Sequence, residues 1–206
     1  MRARLLAATL ECCNEQVNFR LPSADEVCAQ ASVSRATFYK YFDSVQDAVE
    51  ALGQSLLDEM ITDLSTLIEE TSALDRIGIG LQVFVMRSAL DPSWAAFVSR
   101  VSLAQPDSEF ARVAARDFEA AAEAGQIRVS SIEAAHSLAL GAVFEAIRYV
   151  HATGERSRDY AEGLAVMVLK ALDVDETEAK RTVTQASDRI RELGPRYFEW
   201  WADPWS

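Results

Sequence analysis

Residues 23–44, SADEVCAQASVSRATFYKYFDS, hold two short amphipathic segments with almost nothing between them, and end in the aromatic run Phe38, Tyr39, Tyr41 and Phe42. Ser23 and Glu26 stand three apart, a capping-box spacing in which the serine oxygen and the glutamate carboxylate each satisfy an orphan N–H. Val27 and Cys28 then face inward. The segment Ala31-Ser32-Val33 is too short for anything but a tight turn, and Ser34 caps the next helix. Phe38 and Phe42, four apart, share the buried side of that helix. The stretch therefore predicts a compact helix–turn–helix.

Working outward, a first helix is expected over residues 2–17, with Leu6, Leu10, Cys13 and Val17 as one apolar stripe and Asn18 as its stop. Ser44 with Asp47 opens a fourth helix whose apolar spacing persists to about residue 68. That length makes a rigid link between an N-terminal head and a body. Further helices are expected over 74–89, from Asp91-Pro92 to about 101, over 108–124 with Gly125 as stop, from Ser130 and Glu133 onward, over 159–172, and over about 175–192. The last of these is expected to break at Gly194-Pro195. The run AAHSLALGAVFEAIRYV is apolar nearly all round, which predicts a helix buried on every side at a subunit interface. Small residues Ala161, Gly163 and Ala165 in the following helix permit close packing, so two helices from each of two copies would form a four-helix bundle.

Composition agrees with an all-α chain. Five prolines and eight glycines in 206 residues leave helices largely uninterrupted. No run of about 18 apolar residues occurs, so no membrane span is expected, and the start of the chain does not read as a signal peptide. Cys12, Cys13 and Cys28 have neither CxxC spacing nor a nearby histidine, so no metal is expected and a reducing cytosol suits them. The net charge is −12. Residues 1–45 hold five basic side chains (Arg2, Arg4, Arg20, Arg35, Lys40) and five acidic ones, so the remainder carries the whole excess. A nucleic-acid binder with this balance must gather its positive charge on one face.

Ser23, Val27, Ala31, Val33, Ser34, Thr37, Phe38, Tyr39, Phe42 and Ser44 together resemble the tetracycline-repressor (TetR-type) family of bacterial transcriptional regulators. The resemblance implies a three-helix head over 1–45, a helical ligand-binding and dimerisation body over 46–206, and no cofactor. It implies a cytoplasmic homodimer that leaves a palindromic double-stranded DNA operator when a small molecule, apolar or amphipathic, binds the body. The implied DNA contacts are Ser23, Ser34, Arg35, Ala36, Thr37, Tyr39, Lys40 and Tyr41. Their chemistry fits: Arg35 or Lys40 can bond guanine, the Ala36 or Thr37 methyl can meet thymine, and the hydroxyls can reach phosphates. Tyr39 and Tyr41 packing on the first helix is the alternative. Three positions depart from the family pattern. Ser32 and Ala36 stand where glycines are usual, and Val45 where a lysine touches phosphate, so weak, salt-sensitive operator binding is expected. The rival reading, drawn from Ser32, Val45 and the acidic field, is a protein-interaction adaptor that keeps a degenerate helix–turn–helix.

For the ligand, the sequence offers Phe84, Met86, Arg87, Trp94, Phe97, Phe118, Phe144 and Arg148, with Arg100, His136 and Glu145 among them. Each aromatic has a plain core role as its alternative. Arg148 has Glu145 as an intrahelical partner, whereas Arg87 sits in a very apolar stretch and is the better candidate for an anionic group. His136 and His151 stand apart from any serine–acid or cysteine arrangement, so the chain is not expected to be an enzyme. The tail residues Tyr197, Phe198, Trp200, Trp201 and Trp205 are too apolar to stay in water as one patch. Packing on its own body or on a dimer mate, covering a pocket mouth, and binding another surface are the three readings of that tail.

Overall fold

The computed structural model describes residues 1–15, 20–99 and 109–202. Among them are ten helices: α1 Arg2–Glu15, α2 Ala24–Gln30, α3 Arg35–Tyr39, α4 Val45–Leu67, α5 Ala73–Leu90, α6 Pro92–Val98, α7 Glu109–Glu123, α8 Ile132–Thr153, α9 Arg158–Ala171 and α10 Glu176–Tyr197. The fold is all-α. Val17, Asn18, Arg100, Val101, Ser108 and Trp205, on which some sequence expectations rest, lie outside the described residues. No described helix is long and apolar enough to cross a membrane.

The helix starts follow from local chemistry. Ser23 Oγ accepts from the Glu26 N–H at 3.2 Å, and the Glu26 carboxylate accepts from the Ser23 N–H at 2.6 Å. Ser34, Ser44, Ser72, Asp91, Ser131 and Ser157 cap their helices through the first of these bonds, each side-chain oxygen accepting from the N–H three residues on. The cap of α8 is Ser131, not Ser130, because Ser131 Oγ is the atom that meets the Ala134 N–H. Phe38 is fully buried at the centre of the head, against Phe42 at 5.8 Å between ring centroids. The buried face of α1 is centred one residue earlier than the spacing predicts, on Leu5, Thr9 and Cys12, while Leu10 and Cys13 are only partly covered. The reason is a third neighbour: besides α2 and α4, α6 also presses on α1, and Asn14 Nδ2 donates to the Ser93 carbonyl at 3.1 Å.

The turn between α2 and α3 puts Ser32 at φ 49°, in the left-handed region. A side chain there costs roughly 1 kcal/mol that glycine would not. Ser32→Gly is therefore expected to stabilise the chain by up to about 1 kcal/mol, less what glycine loses in ordering. A lowered melting temperature would show that the serine makes a compensating contact.

In the body α5 is the surrounded helix, packed by α6, α7, α8, α9 and α10. Within this chain α8 is covered on one side only. One face (Ala135, Ala139, Val143, Ile147) is buried, and the other exposes Leu138 and Tyr149. On α9, Met167 is 64% exposed. The expected break at Gly194-Pro195 is also corrected, since α10 runs to Tyr197. A proline in the last turn loses a single bond to the carbonyl four residues back. Gly194 serves close approach, for a Cβ there would lie 2.6 Å from the Trp201 ring.

Candidate functional site

Two places carry chemistry, the outer face of the head and a cavity in the body. On the head, Ser23, Ser34, Arg35, Ala36, Tyr39, Lys40 and Tyr41 are exposed, and Thr37 is half-buried. Tyr39 and Tyr41 are 45% and 39% exposed, although the Tyr39 ring also meets Phe38 edge-on at 5.3 Å. Arg35 is already engaged. Its Nη1 donates to both Asp25 carboxylate oxygens at 2.7 and 2.8 Å, its Nη2 to the Tyr39 hydroxyl at 3.3 Å. Asp25, the residue before Glu26 in the first turn of α2, thus holds the guanidinium across the helix pair. Arg20 donates to Glu26 at 2.6 Å, and that bond, with those from Ser23, holds the Glu26 carboxyl down at about 2. The Ser34 and Thr37 hydroxyls bond each other at 2.9 Å. Two of the head's five basic residues are therefore tied to acids.

The cavity lies between α4, α5, α7 and α8 and has a volume of about 190 Å³. Ile61, Leu64 and Ile68 line it from α4, Ile77, Leu81 and Phe84 from α5, Val113 and Phe118 from α7, and Ala139, Val143 and Phe144 from α8. Arg76, Asp117, Ser65 and His136 supply its polar groups. Arg76 Nε donates to Asp117 at 2.5 Å, and its Nη1 donates to the Thr71 carbonyl at 2.9 Å. Burial pushes the Asp117 carboxyl up, against the pull of Arg76. The His136 ring meets Phe118 at 5.5 Å, its Nε2 is buried with no hydrogen-bond partner among the described residues, and burial pushes its pKa down.

Of the eight side chains proposed for the ligand, Phe84, Phe118 and Phe144 line this cavity. Met86, Trp94 and Phe97 do not; they are fully buried in the packing around α5 and α6. Arg148 is also absent from the lining, on the exposed face of α8, where its Nε donates to Glu145 at 2.8 Å. Arg87 is displaced from the expected role by a partner on another helix. Its Nη2 donates to Glu59 of α4 at 2.9 Å, its Nη1 meets the Met60 sulfur at 3.0 Å, and its guanidinium lies between the Trp94 and Trp200 rings at 5.1 and 5.3 Å. Trp200 Nε1 in turn donates to Asp63 at 2.9 Å, so the tail packs across its own body and clasps α4. Burial raises the Asp63 pKa against that bond.

Residues 75–185, more than half the chain, match the family profile described as the tetracyclin repressor-like C-terminal domain. The chain belongs to the TetR family. Solved structures agree in fold. RolR in complex with the ligand resorcinol is 21% identical with a TM-score of 0.71, over 89% of this chain and 93% of that one. FadR from Bacillus subtilis in complex with stearoyl-CoA is 17% identical with a TM-score of 0.65, over 84% and 97%. A Shewanella sp. PV-4 protein assigned to the TetR family of transcription regulators is 15% identical with a TM-score of 0.72, over 83% and 97%. No curated protein matches the sequence. The TetR family to which the chain belongs is one of transcription regulators. Among the described residues no three His, Cys, Asp or Glu side chains group as metal ligands. The TetR body hides two residues that sequence spacing could not join, Arg76 and Asp117. His136 was legible only as an isolated histidine.

Proposed function

We propose that the protein is a homodimeric repressor that leaves a palindromic operator when a small molecule fills the cavity. The observation that carries this reading is the course of α4. Its N-cap, Ser44, adjoins the recognition helix, and its later turns place Ile61, Leu64 and Ile68 on the cavity. A ligand that moves those side chains moves the head, whose boundary we place at residue 45, relative to its mate. The RolR and FadR complexes show that this fold holds small molecules in those proteins. The uncovered faces of α8 and α9 supply the dimer contact. Leu138, Tyr149 and Met167 are exposed there, and a Cβ added at Gly141 or Gly163 meets nothing within 4 Å of the described chain. A second copy can approach that closely only where such side chains are missing. Ser23, Ser34, Arg35, Ala36, Thr37, Tyr39, Lys40 and Tyr41 then face the DNA.

A salt-titrated binding assay on DNA flanking the protein's own coding sequence tests this. The expected log–log slope is about −0.9 per phosphate neutralised. No salt-sensitive complex with any such fragment favours the adaptor reading, which the ties of Arg35 to Asp25 and Arg20 to Glu26 support. Val45, half-buried at the first position of α4, stands where the family's lysine would touch phosphate. Val45→Lys is expected to tighten operator binding several-fold and to steepen the salt slope by about one. Unchanged binding would take position 45 off the DNA backbone.

A further inference from the structure

The cavity also constrains what fills it, and this step rests on the ligand-responsive reading above. Its volume is about 190 Å³. An apolar cavity of about 150 Å³ holds one benzene, whereas drug-sized sites run to roughly 300–1,000 Å³. One six-membered ring with a small substituent matches that volume. Phe84, Phe118 and Phe144 offer ring faces and edges to an aromatic guest. The charged groups on the wall cancel, since Arg76 and Asp117 bond each other and Arg76 also holds the Thr71 carbonyl. A carboxylate guest would find that cation already engaged.

One polar atom awaits a partner. His136 lines the cavity, and its Nε2 is buried with no protein hydrogen bond among the described residues. A buried polar atom without a partner is a standing penalty that a ligand hydroxyl relieves. We propose that the effector is a small, neutral, phenol-class molecule, its ring among Phe84, Phe118 and Phe144 and its hydroxyl donating to His136 Nε2 once the imidazole turns that nitrogen onto the void. Burial lowers the His136 pKa, which keeps the imidazole neutral and able to accept.

Calorimetric titration of the full chain, without DNA, tests the class with four probes: phenol, toluene, benzoate and octanoate. Phenol is expected to bind saturably, one per chain, with toluene at least about ten-fold weaker because it leaves Nε2 unpaired. Benzoate and octanoate are expected to bind more weakly still. His136→Phe keeps a ring against Phe118 and should bring phenol and toluene to equal affinity. Gly80→Leu is the folding control. Gly80 lines the cavity, and a Cβ there meets nothing within 4 Å, so the leucine enters the void. It should abolish phenol binding with an unchanged or higher melting temperature.

Toluene binding as tightly as phenol, octanoate binding more tightly, or no probe binding at millimolar concentration would each overturn the assignment. So would a phenol preference that survives His136→Phe, or phenol binding that survives Gly80→Leu. With no DNA in the cell, these outcomes judge the ligand class alone. A chain that binds phenol but keeps its operator would overturn the repressor reading and leave the ligand class standing.

Discussion

Truncation after Gly194 lowers the melting temperature by about 10 °C. The tail is a structural part of the body, with Phe198 4% exposed and stacked on Trp200 at 4.6 Å. Removing one buried phenylalanine or tryptophan ring typically costs about 3–5 kcal/mol. Losing the whole tail also releases residues from order, so the net effect is set near that of one ring. At about 2–4 °C per kcal/mol for a chain of this size, the shift is about 10 °C. The truncation also uncovers Arg87, which then keeps Glu59 and Trp94 but loses the Trp200 face. Trp200→Phe separates the contributions. It keeps a ring in the stack and removes the Nε1 donor to Asp63, for an expected loss of about 1 kcal/mol. A truncated chain that melts with the full-length one would mean the clasp contributes nothing, and a change in dimerisation alone would move the tail's role to the interface.

Asp25→Asn is expected to tighten operator binding about ten-fold at low salt while leaving stability nearly unchanged. The Asp25–Arg35 pair is exposed on both sides, at 68% and 58% respectively, and exposed pairs contribute about 0–1 kcal/mol. Asparagine also gives up a favourable charge in the first turn of α2, a loss of a few tenths of a kcal/mol. DNA responds more strongly, because the change removes a negative charge beside the phosphates and releases a guanidinium on the recognition helix. A ten-fold gain corresponds to about 1.4 kcal/mol. The salt slope should steepen by about one as Arg35 takes up a phosphate. Arg35→Ala should weaken binding in the wild-type background, and more so in the Asp25→Asn background. Equal affinities for Asp25→Asn and wild type would remove Arg35 from the contact surface.

The helix starts were legible because a cap is a local device: Ser23 with Glu26, or Ser44 with Asp47, reads the same in sequence and in space. Helix–helix relations were not. Apolar composition marked α8 as a helix to be covered all round, but within one chain the surrounded helix is α5, which only the packing order of its five neighbours reveals. The Gly194-Pro195 pair reads as a stop, but a proline in a final turn breaks one bond, and the glycine is there for Trp201. Arg87 pairs with Glu59 on α4, 28 residues away in the chain, a relation that no spacing along its own helix reveals. The cavity was half legible. Phe84, Phe118 and Phe144 announce themselves as aromatic, while Arg76 and Asp117 meet across 41 residues of chain that only the fold folds back.

Position 80 shows what an empty volume implies over generations. Glycine in a helix interior is about 1 kcal/mol less favourable than alanine. Nothing in the described chain stands where a side chain at 80 would go. Selection for heat resistance alone would replace this glycine early, since the change meets no steric objection and each further methylene would fill the void. On the proposed reading, a laboratory lineage evolved for thermostability should therefore go deaf to its effector at this residue first, still folded and still able to bind DNA. In a natural lineage, a glycine kept here would record continuing selection on the response itself.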